Sequence, residues 1–97
     1  MQRTLVTVVT EGVLESRIVA AVKRLGAHGY TVTDARGEGS RGKRSADWEH
    51  SRNIRLETIC EEEVAQAIAQ HLRETYYDNF AMIIFLSEVE VSRPEKF

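Results

Sequence analysis

Basic residues and glycines concentrate in residues 36–55, and this segment begins Arg-Gly-Glu-Gly-Ser-Arg-Gly-Lys-Arg-Ser. It carries six Lys or Arg and three Asp or Glu, a formal charge of +3; the whole chain is −2, so the remainder sums to −5. Glycines let backbone N–H groups approach phosphate oxygens, and guanidinium groups donate forked hydrogen bonds to the same oxygens. A cationic loop on an acidic body indicates a receptor for a small anion and no binding of nucleic acid.

Three arginines in this segment are candidates for anion contact. Arg41 and Arg44 are three residues apart, so both can reach one diphosphate if the loop folds over it; the alternative is a solvated basic loop. Arg55, at the base of the loop, could meet a phosphate or bicarbonate, or form a cross-strand ion pair with Asp34 or Glu57.

The same loop carries the only tryptophan, Trp48, and a histidine, His50. An exposed aromatic residue in a loop often anchors a protein interface, although Trp48 could equally pack against its own subunit. His50 could titrate near neutral pH and so respond to bicarbonate chemistry, but most loop histidines have no such role.

Other site chemistries find little support. The acidic run 61–63 occupies consecutive helix positions, which do not face one another, and the histidines have no ligand partners at metal-site spacing, so we expect no metal. No catalytic Ser-His-Asp or Cys-His arrangement is evident. One cysteine, Cys60, indicates a reducing compartment; with no long apolar run and no signal pattern, we expect a cytoplasmic protein without direct membrane insertion.

The hydrophobic pattern predicts four strands and two helices. Alternation places strands at 4–10, 30–36, 53–60 and 81–91, and helical spacing places helices at 13–27 and from 61 through 73. The order βαββαβ predicts an α+β, ferredoxin-like sandwich: a four-stranded antiparallel sheet with both helices on one face. The length suits one domain, 1–97, with a long loop at about 37–53.

The other face of this sheet should be polar in a monomer, but the last strand is apolar on both sides. Met82, Ile84 and Leu86 alternate with Ile83 and Phe85. Since only six residues follow Val91, they cannot cover a sheet face, and we expect a homo-oligomer packed through it.

Together, the element order, the Gly-Tyr-Thr-Val entry to the second strand (29–32), the Gly-x-Gly at its exit (37–39) and the long loop resemble the PII signal-transduction proteins. The string Gly-Glu-Gly-Ser-Arg-Gly-Lys-Arg-Ser (37–45) is closer to the PII-like branch that regulates inorganic-carbon uptake, which includes bicarbonate-transporter regulators and carboxysome-associated proteins.

The resemblance implies a homotrimer with adenine-nucleotide pockets between subunits. Its phosphate-binding string falls on Gly37, Glu38, Gly39, Ser40, Arg41 and Arg44, the base would lie beside Thr31, and the turn over the nucleotide falls on Asn79, Phe80 and Ala81. That turn lacks the family's lysine, which favours AMP or ADP over ATP, and the loop has no tyrosine for uridylylation.

We therefore expect a non-catalytic sensor of adenine nucleotides, with AMP or ADP favoured, cyclic AMP and ATP as alternatives, and bicarbonate as a weaker second-ligand hypothesis. Its loop would regulate a bicarbonate transporter or a carboxysome-related protein. The alternative from a different class is a small trimeric nucleotide-hydrolysing enzyme with Glu38, Asp47, Glu49 or His50 as base or metal ligand.

Overall fold

A computed structural model describes residues 1–39, 42–44 and 52–97. The strands are β1 (Gln2–Glu11), β2 (Thr31–Ala35), β3 (Gly37–Gly39), β4 (Gly42–Arg44), β5 (Asn53–Cys60) and β6 (Met82–Glu90); the helices are α1 (Glu15–Arg24) and α2 (Glu62–Tyr76), with 3₁₀ turns at Gly12–Leu14 and Pro94–Lys96. The main sheet has the order β2-β5-β1-β6 with every neighbouring pair antiparallel. This confirms the predicted ferredoxin-like sandwich.

One face of the sheet forms the core with the two helices. In β1 the residues Thr4, Val6, Val8 and Thr10 are buried, and their partners in β5 are the buried Cys60, Thr58, Leu56 and Ile54. The helices close this layer with Ile18 and Val22 from α1 and Ile68 and Leu72 from α2, all fully buried. The alternation read from β5 is therefore confirmed.

Helix α1 is shorter than the 13–27 that its spacing predicts, because different structures form at its two ends. Residues 12–14 make a 3₁₀ turn before the helix begins. At the other end Gly26 has a φ of 118° and Ala27 donates its N–H to the carbonyl of Val22 at 2.9 Å, the glycine-terminated cap that satisfies the last carbonyls.

Among the described residues no helix covers the second sheet face, and the apolar part of this face lies on β1 and β6. Register places Leu5, Thr7 and Val9 of β1 beside Ile83 and Phe85 of β6 on this side, and these last two side chains are 42% and 45% exposed. Thr7 is fully buried between its neighbours, and its hydroxyl has no hydrogen-bond partner among the described residues. We call this surface the open face.

Within the described part of the chain, no helix has the length and apolar character needed to cross a membrane.

Candidate functional site

The ends of three strands and one turn lie at the same end of the sheet, where the basic loop leaves and returns. We call this end of the sheet the loop edge. Ala35 at the end of β2 pairs with Asn53, the first residue of β5, and Asn53 pairs with Glu11, the last residue of β1. The carboxylate of Glu11 then reaches Ala81, which precedes β6. The basic loop starts after β2 and the turn precedes β6, the two outer strands, so they lie at the same end of the sheet but three strand spacings, about 14 Å, apart.

The glycine-rich string forms a short hairpin beside this edge, where the sequence predicts only a loop. Strands β3 and β4 pair Gly37 with Arg44, Glu38 with Lys43 and Gly39 with Gly42. The pairing brings the backbone of Arg44 beside that of Gly37, two residues after β2. Short, glycine-rich strands lack the alternating pattern that identifies a strand, which is why the sequence did not predict them.

Four of the predicted site residues, Ser40, Arg41, Trp48 and His50, lie outside the described residues. Their roles in phosphate binding and partner contact stay predictions.

The returning end of the loop is fixed to the body of the protein by Arg52, which sequence reasoning missed. Its Nη1 donates to Glu15 Oε1 at 2.9 Å and lies 3.7 Å from Asp34 Oδ1. Its carbonyl accepts the N–H of Gly12 at 2.5 Å, and a Cβ on Gly12 would lie 2.8 Å from that oxygen. Only a glycine allows this approach; an arginine before a strand gives no comparable signal in the sequence.

Arg55 has the second of its two predicted ion-pair partners. Its Nη2 and Nε lie 3.0 and 3.3 Å from Glu57 Oε2, whereas Asp34 contacts Arg52 instead. Residues two apart on a strand share a face, so this pair lies on the open-face side of β5. Both side chains are partly exposed, and exposed ion pairs contribute only about 0–1 kcal/mol, so Arg55 can exchange Glu57 for a ligand anion at little cost.

Thr31 stands apart from the other candidates. It begins the edge strand β2 and pairs with Glu57, four residues before Ala35, which corresponds to about 13 Å along the strand. One subunit therefore does not bring Thr31 together with the hairpin and the turn.

The turn before β6 is tied down at every described amide of residues 79–81. The N–H groups of Asn79 and Phe80 donate to the carbonyl of Tyr76 at 3.1 and 3.0 Å, and that of Ala81 donates to Glu11 Oε2 at 2.8 Å. The ring of Phe80 packs edge-on against Tyr76, with centroids 5.8 Å apart. This contact packs Phe80 against the end of α2 within the same subunit.

Cys60, the last residue of β5, lies at the end of the sheet opposite the loop edge. Burial raises the pKa of the Cys60 thiol, and the nearby charge of Glu61 raises it further. This agrees with a small buried filler rather than a reactive thiol. No group of three potential metal ligands occurs among residues 1–39, 42–44 and 52–97.

A cavity of about 750 Å³ lies along the outer side of α1 and was not anticipated from the sequence. Its walls include Val13, Val19 and Lys23, with Tyr30 and Arg52 at its border. Arg52 is thus shared between this cavity and the loop edge.

Comparison with known proteins identifies the class. The family model described as nitrogen regulatory protein P-II matches residues 3–96. Among solved structures, a PII-like signalling protein from Thermus thermophilus is 56% identical, with 100% of this chain and 96% of that chain covered and a TM-score of 0.87. The chain belongs to the P-II family and is a PII-like signalling protein.

The fold also matches CPII, a nitrogen regulatory PII-like protein from Thiomonas intermedia. Its complex with ADP, AMP and bicarbonate is 20% identical to this chain, covers 100% of this chain and 94% of its own, and has a TM-score of 0.90. The apo form of CPII is 15% identical, with coverage of 94% and 92% and a TM-score of 0.77. These similarities show a shared fold. The family description as a regulatory protein agrees with the prediction of a non-enzyme.

Proposed function

We propose that this protein is a cytoplasmic, homotrimeric sensor of adenine nucleotides that binds AMP or ADP between subunits and regulates a protein of inorganic-carbon uptake or fixation through its long loop. The observation that carries the proposal is that one chain keeps the candidate residues apart. The hairpin follows β2 and the turn precedes β6, the two outer strands, about 14 Å apart across the sheet, and Thr31 lies about 13 Å from the end of β2. A second subunit can supply the missing half.

The open face supports assembly through the sheet. Ile83 and Phe85 are nearly half exposed beside Leu5 and Val9, so the described residues leave an apolar patch on β1 and β6 uncovered. Burying such a surface is favourable by about 25 cal/mol per Å². A trimer would bring the edge strand of one subunit toward the loop edge of the next.

The ligand is inferred from charge and donor type. The hairpin brings the backbone of Gly37 beside Arg44, and Arg41 belongs to the same string. Arg55 adds a guanidinium that is held only by an exposed ion pair. The turn 78–81 has no lysine to support a third phosphate, which favours AMP or ADP over ATP.

The regulatory assignment rests on the loop and on the family. Arg52 is fixed to the body of the protein, so an ordering of the loop by ligand would change only the residues that precede Arg52. A ligand shifts such a segment only by binding one arrangement better. CPII binds ADP, AMP and bicarbonate, which supports adenine nucleotides and bicarbonate as ligands here. The target, a bicarbonate transporter or a carboxysome-related protein, is inferred from the resemblance of residues 37–45 to the inorganic-carbon branch.

Calorimetric titration with AMP, ADP, ATP and cyclic AMP tests the proposal. We expect AMP or ADP to bind most tightly and the double variant Arg41→Ala plus Arg44→Ala to lose at least tenfold in affinity, since each charge-assisted contact contributes about 1.5–3 kcal/mol. The matched control removes two exposed helix arginines, Arg17→Ala plus Arg73→Ala, and should bind normally. Absence of binding by the folded unmutated protein would refute the sensor assignment.

Trp48, as the only tryptophan, provides a direct optical report on the loop. Its emission should shift on nucleotide addition, and a further change on adding bicarbonate would support bicarbonate as second ligand. Steady phosphate release by the unmutated protein, abolished by Glu38→Ala, would instead favour the hydrolase. Light scattering should give a mass of about three times the 11.0 kDa chain.

A further inference from the structure

Glu11 places a carboxylate inside the candidate nucleotide site. It is the last residue of β1, and its register with Asn53 continues the open-face side of Thr7 and Val9 up to the loop edge. Its Oε2 accepts the N–H of Ala81 at 2.8 Å.

Both backbone polar groups of Ala81 form hydrogen bonds with side chains at the end of β1. Its carbonyl accepts a hydrogen bond from Thr10 Oγ1 at 2.7 Å, while its N–H is taken by Glu11. The two preceding amides, those of Asn79 and Phe80, bond to a backbone carbonyl that cannot move away without unwinding the end of α2. Among the amides of residues 79–81, that of Ala81 is the one whose acceptor is a mobile and charged side chain.

Phosphate and carboxylate oxygens compete for the same donor. A carboxylate that already accepts from a backbone N–H keeps that donor from a ligand oxygen, and its charge repels an anionic ligand bound at the same turn. Within the described residues, no Lys or Arg lies at ion-pair distance from Glu11, because Arg52 faces Glu15 and Asp34. No described cation therefore neutralises the negative charge of Glu11.

We propose that Glu11 is a specificity-determining residue that limits how much negative charge the nucleotide site accepts. This inference rests on the proposed function. Two features would then discriminate against ligands with more phosphates. The turn lacks a lysine, and Glu11 repels the additional negative charge.

The substitution Glu11→Gln tests this because it retains an oxygen that accepts the Ala81 N–H and removes the charge. Titrations with magnesium-free AMP, ADP and ATP should show a gain in affinity that grows by about threefold with each added ligand charge, the factor expected for a unit charge about 7 Å away in a water-like dielectric. Glu11→Asp, which keeps the charge, should preserve the order of affinities of the unmutated protein.

The matched control is Glu63→Gln, an identical charge change at an exposed position in the first turn of α2, at the opposite edge of the sheet. It should alter all three affinities little and equally. Raising the salt concentration should shrink the Glu11→Gln effect, because salt screens charge repulsion but not a loss of structure. Circular dichroism and light scattering establish that each variant is folded and assembled.

The outcomes separate the two proposals. Equal changes for AMP, ADP and ATP, or no change, would overturn the role of Glu11 and leave nucleotide sensing intact. If neither the unmutated protein nor Glu11→Gln binds any of the three, both proposals are wrong. A gain that rises along the series and is absent from Glu63→Gln would establish Glu11 as the discriminator.

Discussion

Replacing Phe85 with alanine should dissociate the proposed trimer. The side chain is 45% exposed, so of roughly 200 Å² that a phenylalanine offers, about 90 Å² remains for a neighbouring subunit to cover. At about 25 cal/mol per Å² this corresponds to about 2 kcal/mol per subunit and about 7 kcal/mol for three. These are upper values, since alanine keeps some contact of its own.

A loss of about 7 kcal/mol lowers the trimer association constant by about 10⁵, so the concentration at which half the trimer has dissociated should rise by about the square root, roughly 300-fold. Sedimentation at a series of concentrations measures it, with circular dichroism to confirm a folded chain. The control is Val13→Ala, an apolar side chain that is 58% exposed but lies beside α1 and not on the open face. If Phe85→Ala assembles as tightly as the unmutated protein, the open face is not the interface.

Three further predictions concern stability. Gly12→Ala should lower the free energy of unfolding in urea by about 1–3 kcal/mol, because its Cβ would lie 2.8 Å from a backbone oxygen. The control Gly29→Ala, whose Cβ would have nothing within 4 Å, should change it little. Equal decreases for the two variants would contradict this account. Thr10→Val should cost about 1 kcal/mol, since its hydroxyl donates to a carbonyl at 2.7 Å, whereas Thr7→Val should be neutral or stabilising because that hydroxyl is buried without a described partner; the same sign for both would refute the assignment. Burial raises the pKa of the Cys60 thiol in the native protein above its value in the unfolded chain. The contribution of this thiol to the free energy of unfolding is therefore complete below about pH 8.5 and is lost as the pH rises through the raised pKa. The free energy of unfolding of Cys60→Ala should vary less with pH above about 8.5, the unfolded pKa, than that of the unmutated protein.

Local pattern was sufficient to predict the main sheet. The alternation of β-branched and apolar residues in 4–10 and 53–60 determines which side chains face the helices, since a shift of one residue would turn all of them over. The predicted strands agree with the observed ones to within about two residues. The sequence also showed that β6 is apolar on both faces, because alternation along a strand is enough to assign each residue to a face.

Besides the short β3–β4 hairpin, the site features that the sequence did not reveal depend on contacts between distant residues. Glu11 looks like an ordinary acid at the end of a strand, and only the fold places its carboxylate against Ala81, 70 residues later. The attachment of Arg52 to Glu15 and Gly12 likewise joins segments about 40 residues apart. Side-chain pairing at such distances follows from the tertiary arrangement and has no local signal.

The pairing of β2 with β5 lets the central part of the loop, residues 45–51, change in length and content without moving the strands that carry it. Ala35 and Asn53 are direct partners, so the loop leaves and re-enters the body at adjacent points whatever lies between them. Doubling the length of a flexible segment closed in this way costs only about 0.6 kcal/mol. Evolution, or a designer, can therefore exchange residues 45–51, between the proposed phosphate-binding string and Arg52, and redirect the protein to a new target while the proposed ligand contacts stay unchanged.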